Sequence, residues 1–243
     1  MTSRSSTTSR QKTTLTWLGH AAFQILSPTG KTVLIDPWLD NPKAPPGAKG
    51  IANVDLILIS HGHSDHLGNT FELVKRTGAR VIAIHEVCSY LKSRGVTTAQ
   101  EMNKGGTIST DGIHVTMVDA KHSADISEDG NVIPGGEAAG FVIELESGLK
   151  VYHAGDTALF QDMKLIAQLY KPDIVLLPIG DLYTMGPREA ALACEWLHPK
   201  HIIGMHYGTF PALTGTPDEL RKRLKPNLRK RLIVLAPGSP VRL

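Results

Sequence analysis

The sequence predicts an α+β fold in which two mixed sheets pack together with helices outside. Short apolar runs of strand length recur along the chain, the early ones joined by tight turns and the later ones alternating with helical segments. That order, strands first and strand-helix alternation after, occurs twice, which is the pattern of two sheets in layers. With 243 residues, 41% of them hydrophobic, the chain can bury a core without disulfides. A single domain over residues 13–243 is expected, with no residue-level repeat.

LTWLG from Leu15, AFQIL from Ala22, TVLID from Thr32, DLILIS from Asp55 and RVIAI from Arg80 read as strands. Ser27, Pro28 and Gly30 supply a tight reversal, so Ala22 to Asp36 reads as an antiparallel hairpin. A helix is expected from about Leu67 to Thr77, stopped by Gly78. HVTMVDA from His114, AGFVIEL from Ala139 and KVYHAGD from Lys150 are strands, the last two joined at Ser147 and Gly148. A helix over Asp162 to Leu169 leads into the buried strand IVLLPIG from Ile174. The next helix starts at Pro187, where a missing amide costs nothing, and runs to about Leu197. HIIGMH from His201 and RLIVLAP from Arg231 are read as the final strands. Three long loops rich in Gly or Pro, from Asn41, Ser123 and Tyr207, lie close to the chemistry-bearing residues below and are candidate walls of a site.

Composition narrows the partners. No apolar stretch approaches the length of a membrane span, and the N-terminus lacks the apolar core of a secretory signal. Cys88 and Cys194 have no metal-finger spacing and read as reduced, buried residues, which suits a cytoplasmic protein. Residues 1–12, MTSRSSTTSRQK, are too poor in apolar groups to fold and read as a disordered tail. A net charge of +3 does not call for a polyanionic partner. The run RKRLKPNLRKR over 221–231 carries seven basic residues in eleven. It is read as a solvated helix ending near Pro226, since no aromatic residue is interleaved for base stacking; nucleic acid is the alternative.

The chemistry concentrates in ILISHGHSDHLGN, where His61, His63, Asp65 and His66 follow the apolar run LILI. A rigid strand ending in a turn aims several donors at one point, and imidazole with carboxylate is the set that Zn, Mn and Fe accept. His61 and His63 can share one face of an extended backbone, while Asp65 and His66, past the turn, can face a second ion. Buried without a use, such a cluster would be costly. His122, Asp156 and His206 stand at or just beyond the ends of three later strands and complete the set. His20, in a Gly-preceded turn, is the candidate for leaving-group protonation, with a structural role as the alternative. Asp36 is either a carboxylate that orients a ligand imidazole or a turn-former before Pro37. Arg188 is a candidate substrate-anion clamp or a surface arginine at a helix start. His85, His114, His153, His198 and His201 are read as structural, His153 facing away from the ions.

HxHxDH at His61 to His66, then His122, Asp156 in AGDT and His206, in that order, resemble the metallo-β-lactamase superfamily across nearly the whole chain. LGHAAF, IDPW at Asp36, YHAGDT and MGPREAA narrow the resemblance to the small UPF0173-type metal-dependent hydrolases. Ascorbate-phosphate lactonases and N-acyl phosphatidylethanolamine phospholipase D are more distant. The resemblance implies a four-layer αββα sandwich with the site along one edge of the sheets. It further implies that His61, His63 and His122 hold one ion, that Asp65, His66 and His206 hold the other, and that Asp156 bridges them. Two divalent ions, Zn first and Mn or Fe after it, would activate a bridging hydroxide against an ester, lactone, amide or phosphodiester. Asp65 would hold that hydroxide in line and carry its proton. The expected partner is a small-molecule substrate, and a homo-oligomer is allowed. The alternatives are a di-iron redox protein, whose relatives carry Glu where His63 stands and an added flavin domain, and a nuclease using the basic segment.

Overall fold

The computed structural model describes residues 12–243, so the expected disordered tail lies outside the described residues except for Lys12. In chain order the first strands are β1 (Thr14–Trp17), β2 (Phe23–Leu26), β3 (Thr32–Ile35), β4 (Leu56–Leu58), β5 (Arg80–Ile84), β6 (Ala99–Met102), β7 (Thr107–Thr110) and β8 (Ile113–Asp119). They continue as β9 (Ile126–Glu128), β10 (Asn131–Ile133), β11 (Ala139–Glu144), β12 (Lys150–His153), β13 (Ile174–Pro178), β14 (His201–Met205) and β15 (Pro240–Arg242). The helices are α1 (Ser64–Leu67), α2 (Thr70–Thr77), α3 (His85–Ser93), α4 (Met163–Tyr170), α5 (Pro187–Leu197), α6 (Pro217–Arg223) and α7 (Pro226–Arg229).

Both large sheets are mixed. The first has the order β15-β1-β2-β3-β4-β5-β6, antiparallel as far as β3 and parallel beyond it. The second has the order β14-β13-β12-β11-β8-β7, parallel among β12, β13 and β14 and antiparallel from β12 to β7. Alternation along the strands builds the layers. Phe141, Ile143, Ile174 and Leu176 join Leu15, Phe23, Ile25 and Val33 in the core between the sheets. Their neighbours Val142, Val175 and Leu177 turn outward onto Met163 of α4 and Ala190, Cys194 and Leu197 of α5. Leu73 of α2 and Val87 and Leu91 of α3 cover the outer face of the first sheet. The result is the expected four-layer αββα sandwich. Cys88 and Cys194 are free and buried, and among the described residues no helix is long and apolar enough to cross a membrane.

The halves share a device that no residue-level repeat announces. Asp55, just before β4, accepts from Thr32 N (2.9 Å) and from Lys31 Nζ (3.0 Å). Asp173, just before β13, accepts from Lys150 N (3.0 Å) and pairs with Lys200 Nζ (2.8 Å). Each carboxylate sets the start of one parallel strand against the start of its neighbour, and so fixes the register at which both strands end.

The segment from Ser123, expected as a loop, forms the antiparallel hairpin of β9 and β10, and two further expectations need correction. The helix expected over Leu67 to Thr77 is two helices, because Gly68 adopts φ 45° and ψ −128° and ends α1 after one turn. A Cβ there would run into the backbone of Pro37 and Trp38, so the close approach of that loop requires glycine. RLIVLAP forms only an isolated bridge, Leu232 to Ile202, rather than a strand. Leu232 and Leu235 are buried by packing. The chain then crosses to the first sheet, where β15 pairs with β1.

Candidate metal centre

β1, β3 and β4 run one way in the first sheet, and β8, β12 and β14 run one way in the second. His20, Asp36 and His61 follow the carboxyl ends of the first three, and His122, Asp156 and His206 those of the second three. Loops at the carboxyl ends of strands are where α/β proteins place ligands. Here the two sets meet. His206 N donates to His20 O (2.9 Å), and Gly62 N donates to Ala124 O (3.1 Å), so each sheet's ligand loop is hydrogen-bonded to the other's. A side chain at Gly62 would collide with that carbonyl oxygen, which accounts for glycine between His61 and His63. His20, Asp36 and His206 all have left-handed backbones, at φ 51°, 46° and 54°. Such conformations cost non-glycine residues energy and gather at functional sites.

All seven predicted ligands come together, and His20 joins them. Donor atoms of His61, His63 and His122 lie within 4.8 Å of one another; so do those of His61, His66 and Asp156, and those of His20, Asp65, His66 and His206. Asp156 stands between the groups: its Oδ2 is 2.9 Å from His206 Nε2, 3.3 Å from His66 Nε2 and 3.7 Å from His122 Nε2. His61 Nε2 and His63 Nδ1 are 2.9 Å apart. The protein leaves His66 Nε2, Asp156 Oδ1 and His206 Nδ1 buried with no hydrogen-bond partner. Buried polar atoms are nearly always paired, and a cation among these lone pairs would satisfy the inward-facing ones. The residues fit a metal.

Asp36 and Ser60 fix the orientation. Asp36 Oδ1 accepts from Ser60 N (2.8 Å), and Oδ2 accepts from Ser60 Oγ (2.7 Å) and His66 Nδ1 (2.8 Å). Ser60 Oγ in turn accepts from His61 Nδ1 (2.9 Å). Its single proton goes to Asp36, so both imidazoles carry a hydrogen on Nδ1 and aim Nε2 at the cluster. Asp36 therefore orients a ligand imidazole. Ser60 was invisible to sequence reasoning, since a serine at a strand end carries no distinguishing signal.

The charges agree. Burial opposes the Asp156 carboxylate, but His206 and His66 hold its pKa well below the ordinary carboxylate value. Burial also opposes protonation of His66, yet Asp156 and Asp36 raise its pKa well above the usual imidazole value. Burial pushes His61 well below that value and lowers His63 and His122. His20, fully buried, is lowered to about 4 by burial despite its hydrogen bond to Asp65. Asp65 is lowered: burial works against its charge, and the His20 hydrogen bond and His66 outweigh it.

His20 sits behind Asp65, with Nε2 3.0 Å from Asp65 Oδ2 and Nδ1 2.9 Å from Thr209 Oγ1. His153 faces away, bonded through Nε2 to Ala21 O (2.9 Å), and is absent from the ligand groups. Arg188 is exposed and lines a separate cleft with Asp181, Glu189, Thr214, Glu219 and Arg223. The basic segment is two short helices rather than one helix ending near Pro226: it runs from the end of α6 through a turn into α7, which begins at Pro226, and Leu220, Leu224 and Leu228 pack into the outer layer of the second sheet. Lys225 pairs there with Glu195 (2.6 Å), and Arg231 donates to Pro199 O (2.6 Å).

Fold and site define a metal-binding sandwich enzyme of the beta-lactamase superfamily, and the model of the beta-lactamase superfamily domain matches residues 31–207. A UPF0173 metal-dependent hydrolase of Rubrobacter xylanophilus is 48% identical over 93% of this chain and 95% of its own. One of Methanosarcina mazei is 48% identical over 94% and 98%. The solved structure of Igni18, a metallo hydrolase from Ignicoccus hospitalis, is 35% identical with a TM-score of 0.84, covering 96% of this chain and 99% of that one. The chain belongs to the UPF0173 metal-dependent hydrolases of this superfamily.

Proposed function

We propose that the chain holds two divalent ions, Zn first and Mn or Fe as alternatives, and hydrolyses an ester, lactone, amide or phosphodiester of small size. The convergence of seven donors on one sheet edge, with buried atoms that the protein itself leaves unpartnered, carries this reading. His61, His63 and His122 would hold one ion and Asp65, His66 and His206 the other, with Asp156 between them. When bound, the ions supply Lewis acidity toward the substrate's carbonyl or phosphoryl oxygen and acidify coordinated water toward neutrality.

The chain's own residues do the rest. The Asp36–Ser60 pair keeps the Nε2 atoms of His61 and His66 in place, so little reorganisation is needed when charge develops. Asp65, with 26% of its side chain exposed, is the carboxylate open to the substrate side, and it can accept a proton at Oδ1 and return it to the leaving group. His20, neutral at pH 7, donates Nε2–H to Asp65 Oδ2 and accepts from Thr209, which holds that carboxylate in one orientation. His20 reaches the substrate only through Asp65, so the proton passes from Asp65 rather than from His20.

Chelated protein should lose turnover of bis-p-nitrophenyl phosphate or of a simple lactone and regain it on adding Zn or Mn. His61→Ala should stay folded and fail to regain it. Activity indifferent to chelation, or full activity in His61→Ala, would contradict the proposal.

A further inference from the structure

The approach to the candidate centre is bounded on one side by two aromatic rings. Trp38 and Phe210 stack at 5.9 Å between centroids and 28° between planes. Both meet the His20 ring edge-on, at 5.2 Å and 5.7 Å. His20 in turn contacts Asp65, the ligand carboxylate that opens to solvent. His61, His66, His206 and Asp156 are buried, which leaves His63, Asp65 and His122 as the site residues open to solvent, and the stacked pair packs on His20, the ring that bonds Asp65. Phe210 keeps 39% of its surface exposed, a large apolar face on a loop that begins directly after a ligand.

The two rings are held from both sides. Asn41, itself buried, donates from Nδ2 to Trp38 O (2.7 Å) and Leu18 O (2.9 Å), tying the Trp38 loop to the turn that carries His20. Thr209 bonds His20 and pins the Phe210 loop. An exposed ring fixed in this way gains contact area on binding at small entropic cost, and stacked or edge-on arrangements favour a flat apolar partner.

We infer that Trp38 and Phe210 form a specificity wall that selects substrates bearing an aromatic or broad apolar group next to the scissile bond. This rests on the hydrolytic reading above and names the substrate class of the same site. The wall acts by packing and takes no part in the bond-breaking step.

The test is calorimetric titration of the Zn-loaded full-length protein with methylphosphonate and phenylphosphonate, which share the anion and differ in the ring. The wild-type protein should bind phenylphosphonate about 10-fold more tightly, the order expected of a ring packed on aromatic faces. The ratio of the two affinities should fall toward one in Phe210→Ala and be restored in Phe210→Tyr, which keeps the ring. Methylphosphonate binding with no preference for the ring, or a preference unchanged in Phe210→Ala, overturns the wall alone. Failure of the wild-type protein to bind either phosphonate overturns the wall alone where metal-dependent turnover persists, and the hydrolytic centre with it where that turnover is absent.

Discussion

The two edges of the sandwich collect polar groups in opposite ways. Where β4 and β13 begin, carboxylates are paired off locally: Asp55 with Thr32 N and Lys31, Asp173 with Lys150 N and Lys200. Where strands end, carboxylates and imidazoles face one another, and several of their buried atoms have no partner. β4 joins the two edges, with Asp55 at its start and His61 three residues past its end. Polarity is therefore no guide to function in this fold. What distinguishes the working edge is donors brought together without the hydrogen-bond partners that buried groups normally have.

Substitutions on the two edges should separate cleanly. The largest effect is expected at Asp156, whose replacement by Asn removes the carboxylate between the two donor groups. Hydrolysis should fall to background and at least one ion should be lost, as read by metal analysis beside turnover. Asp36→Ala comes next: with His66 and Ser60 released, metal affinity should weaken about 10- to 100-fold in competition with a chelator, while circular dichroism stays native. Ser60→Ala should weaken it less, by roughly 10-fold, since Asp36 still holds His66. Asp55→Asn should leave metal binding untouched and lower stability by about 1 kcal/mol in denaturant titration, the ordinary worth of a hydrogen bond partly open to water.

Asp55 also carries a pH signature. Burial opposes its charge, but Thr32 N–H and the Lys31 ammonium bring its pKa below the ordinary carboxylate value. A depressed carboxylate stabilises fully above its unfolded pKa of about 4, and the contribution fades as pH falls through the folded value. The stability gap between the wild type and Asp55→Asn should be present at pH 7 and close in acid. A gap that widened in acid would show that the carboxylate is not stabilised by these neighbours.

Most of the frame was legible because strand runs such as LILI and IVLLP are apolar on both faces, as strands covered on both sides must be. α5 could be placed at Pro187–Leu197 from the proline at its start and the apolar spacing within it. Apart from β14, the edge strands were not legible. β6 (AQEM) and β7 (TIST) are half polar because one side of each meets water. β15 begins with proline and is held only by β1. RLIVLAP misled for the converse reason: its leucines pack without pairing. At the site, the ligands declared themselves by density and position after strands. Ser60 and Thr209 did not, since a hydroxyl acquires its role only from what the fold sets against it.

The most direct test of the account is the metal content per chain of purified wild-type protein after Zn loading and removal of loose metal. Two ions per chain, falling in Asp156→Asn, is the result that two donor groups joined by one carboxylate predict. A wild-type chain that retains one ion or none would contradict it.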